Sequence, residues 1–516
     1  MGIQFKAHAL VLLGFTSAAA ATASGCNIGN GDYVTIPIDD GPSDDDCTPS
    51  KAEGKIASSC GLWVSRTGHD GNAGTSGAPL KTLSKAIELA FSKGKRIYVC
   101  AEEFDEAVLV PSGHRIFGGL DCRDDWRWIG DKKKTTLTAP EGETPLKFHG
   151  GSGASTVFVE DLHVIARSIL PTHTELAGRS SIAANTSGIP VDFTRCILEA
   201  GDGAPGKEGE SFASDPAEAG QPGNVGNAAC TSASVLGGAP VFNTCGTPDD
   251  REDDSRSGSG GVGSVLSGSD GGDGDPRDAE NGGRGESSSR ACTPGDAGAD
   301  GADGRPGAGA VGFGDVILDG YTGPLAGNGT PGKPGQGGGG GGGAKGGAGA
   351  LMCPFESTAG GAAGGSGGAG GCGGLGGNGG GAGGASIAVF AGSATVFFND
   401  VVLRTGRGGD GGDGGRGQEG GEGGEGGPGG ILGEATGLNA ACSGGPGGRG
   451  GRGGHGGGGL GGHSIAVAYA VRAPSLSNTT IELGEAGLGG RGGSARYNGQ
   501  DGVAAEIYDI EQAFRQ

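Results

Sequence analysis

The chain has 516 residues, of which 126 are glycine and only 5% are aromatic, so a conventional aromatic-rich core is excluded. Its 37 basic and 59 acidic residues give a net charge of −22, and a surface of that charge repels nucleic acid. No nucleic-acid partner is therefore expected. Twelve cysteines, none of them in a C-x-x-C pair, favour export from the reducing cytoplasm.

The first 25 residues have the layout of a secretory signal. Lys6 ends a short basic region, an apolar run spans 7–15, and small residues lead to Cys26. The ending Ser24-Gly25-Cys26 resembles a bacterial lipobox, in which the cysteine receives lipid and becomes the mature N-terminus. The resemblance implies a lipid anchor on Cys26 and a place at the outer membrane or cell surface. Ala23 stands where the motif usually has leucine, so cleavage after Ala23 and plain secretion is the alternative.

The next part of the chain, residues 26–74, is polar and rich in aspartate, glycine, proline and serine. Such a composition cannot bury enough apolar surface to order the backbone. It predicts a solvated tether between the anchor and the folded part.

Residues 75–201 read as one helix followed by short strands. Leu83, Ala86, Ile87 and Ala90 lie at helical spacing before Gly94, and the runs that follow are rich in β-branched residues bounded by Gly, Pro or Asp. Four strand positions (Ile97, Ile116, Thr136 and Val157) follow one another at intervals of 19, 20 and 21 residues. A period near 20 with strands and no intervening helices predicts a β-solenoid.

Residues 78–126 carry a family resemblance. Their sequence "APLKTLSKAIELAFSKGKRIYVC…RIFGGLDCRDDW" is similar to the opening of right-handed parallel β-helix proteins of the pectin-lyase-like class. It resembles in particular an exported bacterial family with a domain of unknown function 1565, which occurs in myxobacterial surface lipoproteins beside repeats like those of mycobacterial glycine-rich repetitive proteins. The resemblance implies an all-β, right-handed parallel β-helix with a short N-terminal capping helix, and it implies no particular reaction.

A two-strand unit recurs later in the chain. It begins with Ser-Ile-Ala at 181–183, 386–388 and 464–466, and each copy runs into a glycine tract; residues 312–318 form a partial copy. The repeat predicts further β-helix coils with glycine tracts over residues 306–516. Residues 202–305, rich in Gly, Asp and Ser, are predicted to be an insertion.

The glycine tracts have a three-residue beat, as in GGSGGAGGCGGLGGNGG at 364–380. Three residues per turn is the period of the polyproline-II helix, and such helices can pack side by side through backbone hydrogen bonds. Glycine also loses the most conformational entropy on ordering, so disordered linkers are the alternative.

Candidate ligand-binding chemistry in the tracts is sparse. Asp410 and Asp413 lie in glycine stretches similar to Ca²⁺-binding nonapeptides, but the aliphatic residue that each nonapeptide needs is missing, so at most weak Ca²⁺ binding is expected. His455 and His463 have no Cys or Asp at ligand spacing, and no metal site or other cofactor is predicted.

Candidates for polysaccharide chemistry lie on the strands before 201. Asp161, Asp192 and Arg195 could form an acid–base group of the pectin-lyase-like kind, although nothing in the sequence places them together. Trp126 and Trp128 could stack on sugars or cap the first coils. No catalytic residue is predicted.

The cysteines suggest specific pairs. Cys100 and Cys122 are separated by about one coil, which suits the Cα separation of a disulfide between stacked strands. Cys230 with Cys245, and Cys353 with Cys372, are predicted as local pairs in the inserts. Cys196, inside a strand, is predicted to be the unpaired, buried thiol.

Two functions remain compatible with the sequence. The first is a non-catalytic, surface-anchored lipoprotein with a structural, adhesive or cell-contact role. The second is a β-helix protein that acts on or binds polysaccharide of an envelope or matrix.

Overall fold

The computed structural model describes residues 44–52, 56–93, 95–150, 154–212, 215–246, 252–317, 320–348, 353, 358–392, 394–432 and 437–513. The predicted signal and Cys26 lie outside these residues. Two α-helices are present among them, α1 (Leu83–Lys93) and the short α2 (Ile510–Ala513). Three single-turn 3-10 helices span Ser58–Cys60, Thr174–Leu176 and Ala495–Tyr497.

All other regular structure in the described residues is strand. In chain order the strands are β1 (Gly61–Val64), β2 (Arg96–Cys100), β3 (Glu103–Asp105), β4 (Val108–Pro111), β5 (Arg115–Asp121), β6 (Arg127–Trp128), β7 (Thr135–Thr138), β8 (Leu146–His149), β9 (Val157–Glu160), β10 (Leu162–Ala166), β11 (Ser181–Ser187), β12 (Val191–Thr194), β13 (Ile197–Ala200), β14 (Ser234–Val235), β15 (Phe242–Asn243), β16 (Ser255–Arg256), β17 (Gly263–Ser264), β18 (Asp315–Ile317), β19 (Gly320–Thr322), β20 (Gly347–Ala348), β21 (Thr358–Ala359), β22 (Ser386–Ala391), β23 (Val396–Asn399), β24 (Val402–Thr405), β25 (Ser464–Tyr469), β26 (Ser475–Ser477), β27 (Thr480–Glu482) and β28 (Ala504–Asp509).

Three parallel sheets organise the long strands. Sheet 1 has the order β1-β2-β5-β9-β12-β23-β26, with β6 added antiparallel to β5. Sheet 2 has the order β3-β7-β10-β13-β24-β27, and sheet 3 has the order β4-β8-β11-β22-β25-β28. Apart from β6 and the short strands β14 to β21, the chain from β2 onward visits sheet 1, sheet 2 and sheet 3 in turn. The all-β class with parallel sheets is confirmed.

The three sheets share one hydrophobic core. In β8, β9, β10, β12 and β13 buried and partly or fully exposed residues alternate, so that in β9 Val157 and Val159 point inward. Strand β22 is buried at every position. Parallel pairing places like side chains above one another. In sheet 2 the stacked column is Phe104, Leu137, Val164, Leu198, Leu403 and Ile481. The stacked rings of Phe193 and Phe398 lie 5.8 Å apart between their centroids.

The Ser-Ile-Ala repeat is explained by this stacking. Ser181 pairs with Ser386, and Ser386 with Ser464, so the three copies lie in register in sheet 3. The serine hydroxyl has a specific partner: Ser181 Oγ accepts the N–H of Gly201 at 2.8 Å, and Ser386 Oγ accepts that of Gly406 at 2.9 Å. The repeated serine therefore fixes the point at which the first two glycine tracts leave the sheets, while at the third tract Thr405 Oγ1 accepts the N–H of Gly484.

Several boundaries differ from those predicted. The tether was expected to run to residue 74, but β1 begins at Gly61, because Trp63 is fully buried and stacks on Tyr98 with ring centroids 4.7 Å apart. The predicted period near 20 is wrong at Thr136. Thr136 lies in sheet 2, and the strand of Ile116 pairs instead with β9, where Ile116 lies opposite Val159. The connection between β5 and β7, which contains β6, lengthens the interval between β5 and β9.

The glycine tracts all leave from one corner. They occupy the connections from β13 to β22, from β24 to β25 and from β27 to β28, each between a sheet 2 strand and a sheet 3 strand. Residues 306–385, predicted to add coils, lie in the first of these connections, and the partial copy at 312–318 contributes β18 to an antiparallel hairpin instead. We call the packed tracts the glycine array.

Hydrogen bonds in the array repeat every three residues. Residues 363–384, the central segment, donate in turn to three different neighbours: Ala363 to Asn227, Gly364 to Gly261 and Gly365 to Cys442, at 2.8–3.1 Å. The next three residues repeat the cycle with partners three residues along. Most backbone N–H groups of this segment thus find an acceptor on a neighbouring tract without a strand ladder, which is the order expected of packed polyproline-II helices rather than of linkers.

Candidate functional site

Four residues with left-handed backbone conformation form a column at the corner between sheets 1 and 2. Asp161, Arg195, Asp400 and Asn478 each follow a sheet 1 strand and have φ values of 57°, 51°, 59° and 46°. Their backbones are linked from one sheet 1 strand to the next, since Asp161 N–H donates to the carbonyl of Thr194 and Arg195 N–H donates to the carbonyl of Asn399. A non-glycine residue in this region is uncommon and persists only where its surroundings hold it.

Arg195 forms ion pairs with two acidic residues at this corner. Its Nη2 lies 2.6 Å from Glu160 Oε2 and 2.9 Å from Asp161 Oδ2, and its Nε lies 3.1 Å from Asp161 Oδ1. Trp128 Nε1 donates to Asp161 Oδ2 at 2.9 Å, and its ring lies 5.5 Å below the guanidinium. Lys134 Nζ is 3.5 Å from Asp161 Oδ1.

The structure therefore brings together Asp161, Arg195 and Trp128, which the sequence could not place. Asp192 is not in contact with Arg195; it accepts a hydrogen bond from Thr194 and acts on Glu160 only through its charge. Sequence reasoning missed Glu160. Alternation along β9 would have indicated that Glu160 points outward beside the corner.

The chemistry of this cluster is that of a closed ion-pair network. Burial raises the pKa of Glu160, although Arg195 opposes that shift. Asp161 is 2% exposed, and both of its carboxylate oxygens accept hydrogen bonds from Arg195. These ion pairs join the ends of the neighbouring strands β9 and β12, so the arrangement holds the two strands together.

The two tryptophans predicted as sugar contacts have protein partners. Trp126 is 5% exposed, packs edge-on against Trp63 with ring centroids 4.9 Å apart, and donates from Nε1 to Ser76 O at 3.1 Å. Its faces are therefore covered, which corrects the sugar-contact prediction for Trp126. Trp128 is partly exposed; the Arg195 guanidinium covers one face of its ring, and its Nε1 donates to Asp161.

Five disulfides link the described cysteines. Cys100 is joined to Cys122, the pair predicted, with Cα atoms 5.7 Å apart. The two local pairs predicted in the inserts are wrong, because Cys230 joins Cys353 and Cys245 joins Cys372. The remaining pairs are Cys47–Cys60 and Cys292–Cys442.

The predicted unpaired cysteine is the free one among the described cysteines. Cys196 is buried, and burial raises its pKa to about 12, so the thiol is inert. In the described part of the chain, one group of three potential metal ligands comes together, Cys100, Glu102 and Cys122. Its two sulfurs are joined to each other and cannot act as thiolate ligands.

The aspartates suspected of binding Ca²⁺ have another role. Asp410 Oδ1 accepts the N–H of Leu488 at 2.8 Å, and Asp413 Oδ1 accepts that of Arg491 at 2.6 Å. At the edge of the array these two backbone N–H groups donate to a carboxylate of the adjacent tract, which takes the place of a backbone carbonyl acceptor.

A notch opens on the array where the tract at 484–493 ends. It encloses about 620 Å³ and is lined by the side chains of Asp413, Arg416, Glu419, Arg452, His455 and Arg491. Sequence reasoning missed it, although arginine in the third position of the glycine triplets at 414–416 and 489–491 was a visible signal. Which tracts become neighbours depends on the fold.

Comparison with family models, curated proteins and solved structures finds no match for this chain. Among the residues that the structure describes, none of the helices has the length and apolar character needed to cross a bilayer.

Proposed function

We propose that this chain is a non-catalytic protein of the cell surface, with a structural, adhesive or cell-contact role. In this proposal the three parallel sheets are the faces of a right-handed β-helix, and the glycine array is a stiff platform carried on one corner. The single observation that carries the proposal is the hydrogen-bonded order of the array, since a mere spacer would need no such packing.

The β-helix assignment is supported by the cyclic order of the strands and by the shared core. Each passage from one sheet 1 strand to the next is a crossover between parallel neighbours, and such crossovers are right-handed in nearly all proteins. The stacked sheet 2 column from Phe104 to Ile481 is what successive coils of a solenoid would present.

An oxidising location is supported by the disulfides. Three of them, Cys230–Cys353, Cys245–Cys372 and Cys292–Cys442, close separations of 123, 127 and 150 residues within or between array tracts. Disulfides persist in exported proteins and are rare in reducing compartments. The array would thus be held together where no glycine side chain can contribute packing.

The anchor is tested by expressing the full chain in a bacterium with a fatty-acid label. We expect label on the mature protein, partition into detergent, and cleavage of the protein by protease added to intact cells. Cys26→Ala should remove the label and release the protein, whereas Cys196→Ala should retain it. A mature N-terminus at Ser24 without label would contradict anchoring and would favour plain secretion.

A second candidate function, polysaccharide binding, is favoured by one observation. The notch exposes arginines in a chain whose net charge is strongly negative. The corner cluster of Glu160, Asp161 and Arg195 supports catalysis poorly, because its charges are paired with one another.

A further inference from the structure

The notch is lined by three arginines and two acidic side chains, so its charge is positive on balance. Both acidic side chains have partners, but only Glu419 is paired with an arginine side chain. Asp413 accepts the N–H of Arg491, and Glu419 pairs with Arg452 at 2.9 Å and with Arg449 at 3.7 Å. In the described part of the chain, neither Arg416 nor Arg491 has a carboxylate within 4.0 Å of its guanidinium.

Both of these arginines stand on fixed backbone. Arg416 N–H donates to Ser211 Oγ at 2.9 Å, and its carbonyl accepts the N–H of Phe212 at 3.0 Å. The Arg491 carbonyl accepts the N–H of Gly414 at 2.7 Å. The tract that carries Arg491 is therefore hydrogen-bonded to the tract that carries Arg416, at a position two residues before Arg416. The two arginine side chains therefore extend from adjoining, hydrogen-bonded tracts, and little backbone conformational entropy would be lost on binding.

The chemistry of the lining selects a class of ligand. A guanidinium presents parallel N–H donors that match a carboxylate, and a pair of them matches two carboxylates on one molecule. No phenylalanine, tyrosine or tryptophan lines the notch, so stacking on a neutral sugar has no support there. The volume is within the range of small-ligand sites.

We propose that the notch binds acidic polysaccharide, with Arg416 and Arg491 holding carboxylates of the sugar chain. This inference rests on the proposed surface location, which would bring the notch into contact with envelope or matrix polysaccharide. Asp413 is a positioning residue, since it holds the backbone of Arg491.

The test uses the purified full-length mature chain and isothermal titration calorimetry. The probes are oligogalacturonate, its methyl ester and neutral dextran. Oligogalacturonate should bind, and binding should weaken as salt is raised. Arg416→Gln and Arg491→Gln should each lower the affinity about tenfold, as expected for loss of a hydrogen bond to a charged group. The methyl ester and dextran should not bind measurably.

The matched control is Arg407→Gln. Arg407 occupies the same triplet position on the tract of Arg416, but its guanidinium pairs with Asp410 at 2.7 Å. Its substitution should leave the affinity within about twofold. All three side chains are exposed, so the circular dichroism spectra and melting temperatures should match the unsubstituted chain.

Three results would overturn the inference: no binding of oligogalacturonate, equal binding of the methyl ester, or undiminished binding by a variant that carries both Arg416→Gln and Arg491→Gln. None of these bears on the lipid anchor, because the assay uses detached protein. Conversely, a secreted chain that binds oligogalacturonate would contradict anchoring alone.

Discussion

His463 lies face to face with Phe313, with ring centroids 4.7 Å apart and planes inclined by 7°. Its Nδ1 accepts the N–H of Val503 at 3.0 Å, so the ring proton is on Nε2, which donates to the Phe313 carbonyl at 3.2 Å. Both nitrogens are thus used by the neutral imidazole. Protonation would remove the Val503 bond and leave a charge in a site that is 1% exposed.

This contact predicts a pH-dependent stability. Burial lowers the pKa of His463 to about 4 from 6.5. Between these pH values the unfolded chain binds a proton that the folded chain does not, so the free energy of unfolding falls as the pH falls. For this group the loss is at most about 1.4 kcal/mol per pH unit. Denaturant unfolding at pH 7 and pH 5 measures it.

The control for this prediction is the comparison of two substitutions. His463→Gln should reduce the difference between pH 7 and pH 5, whatever its effect on stability at pH 7. His455→Gln, at a partly exposed ring on the array, should leave the difference unchanged. Burial raises the pKa of the neighbouring Tyr321 and Tyr508, so neither phenol titrates in this range. An unaltered difference in His463→Gln would refute the assignment.

Arg195 should matter more for stability than other ion-paired arginines. Arg195→Met keeps the stem over Trp128 but leaves Asp161 buried with only Lys134 as a cationic neighbour. Removing one partner of a buried pair costs about 3 kcal/mol or more. Arg404→Met is the control, because Arg404 pairs with the exposed Glu482, and its loss should cost less than about 1 kcal/mol. Equal costs in urea unfolding would show that the Asp161 network is not stabilising.

Much of the sheet region could be predicted from the sequence, because its signals are local. Alternation places Val157 and Val159 inside, and the Ser-Ile-Ala repeat marks positions that stack in register. The position of Thr136 could not be predicted, since the number of residues between successive strands varies and the average period does not say which sheet a strand joins.

The array and the site depend on contacts that are distant in sequence. Cys245 is close to Cys372 because β15 lies beside the central segment, where Asn243 Nδ2 donates to the carbonyl of Gly370 at 3.0 Å. The spacing of residues along one glycine tract does not indicate which other tract lies beside it. For the same reason the sequence could not place Arg416 near Arg491.

The disulfide connectivity can be checked directly. Non-reducing peptide mapping should recover Cys230 with Cys353 and Cys245 with Cys372. Replacing Cys245 and Cys372 by serine should lower the free energy of unfolding by about 4 to 5 kcal/mol in the chain-entropy treatment of a loop this long. Cys196 should react with an alkylating agent only after denaturation, which serves as the control for thiol exposure. Recovery of Cys230 linked to Cys245 would contradict the fold of the array.

The packing of the central segment predicts that its glycines cannot be replaced even by alanine. A Cβ on Gly367 would collide with the carbonyl oxygen of Gly338, which is backbone and cannot rotate away. Gly367→Ala should therefore lower the free energy of unfolding by about 3 kcal/mol, through separation of neighbouring tracts. Gly77→Ala is the control, because a Cβ there meets nothing within 4 Å and its stability should rise slightly or stay unchanged. Thermal and urea unfolding of both variants decides the matter: an array that tolerates Gly367→Ala as well as Gly77→Ala would be loosely packed, and the proposal of a stiff platform would fail.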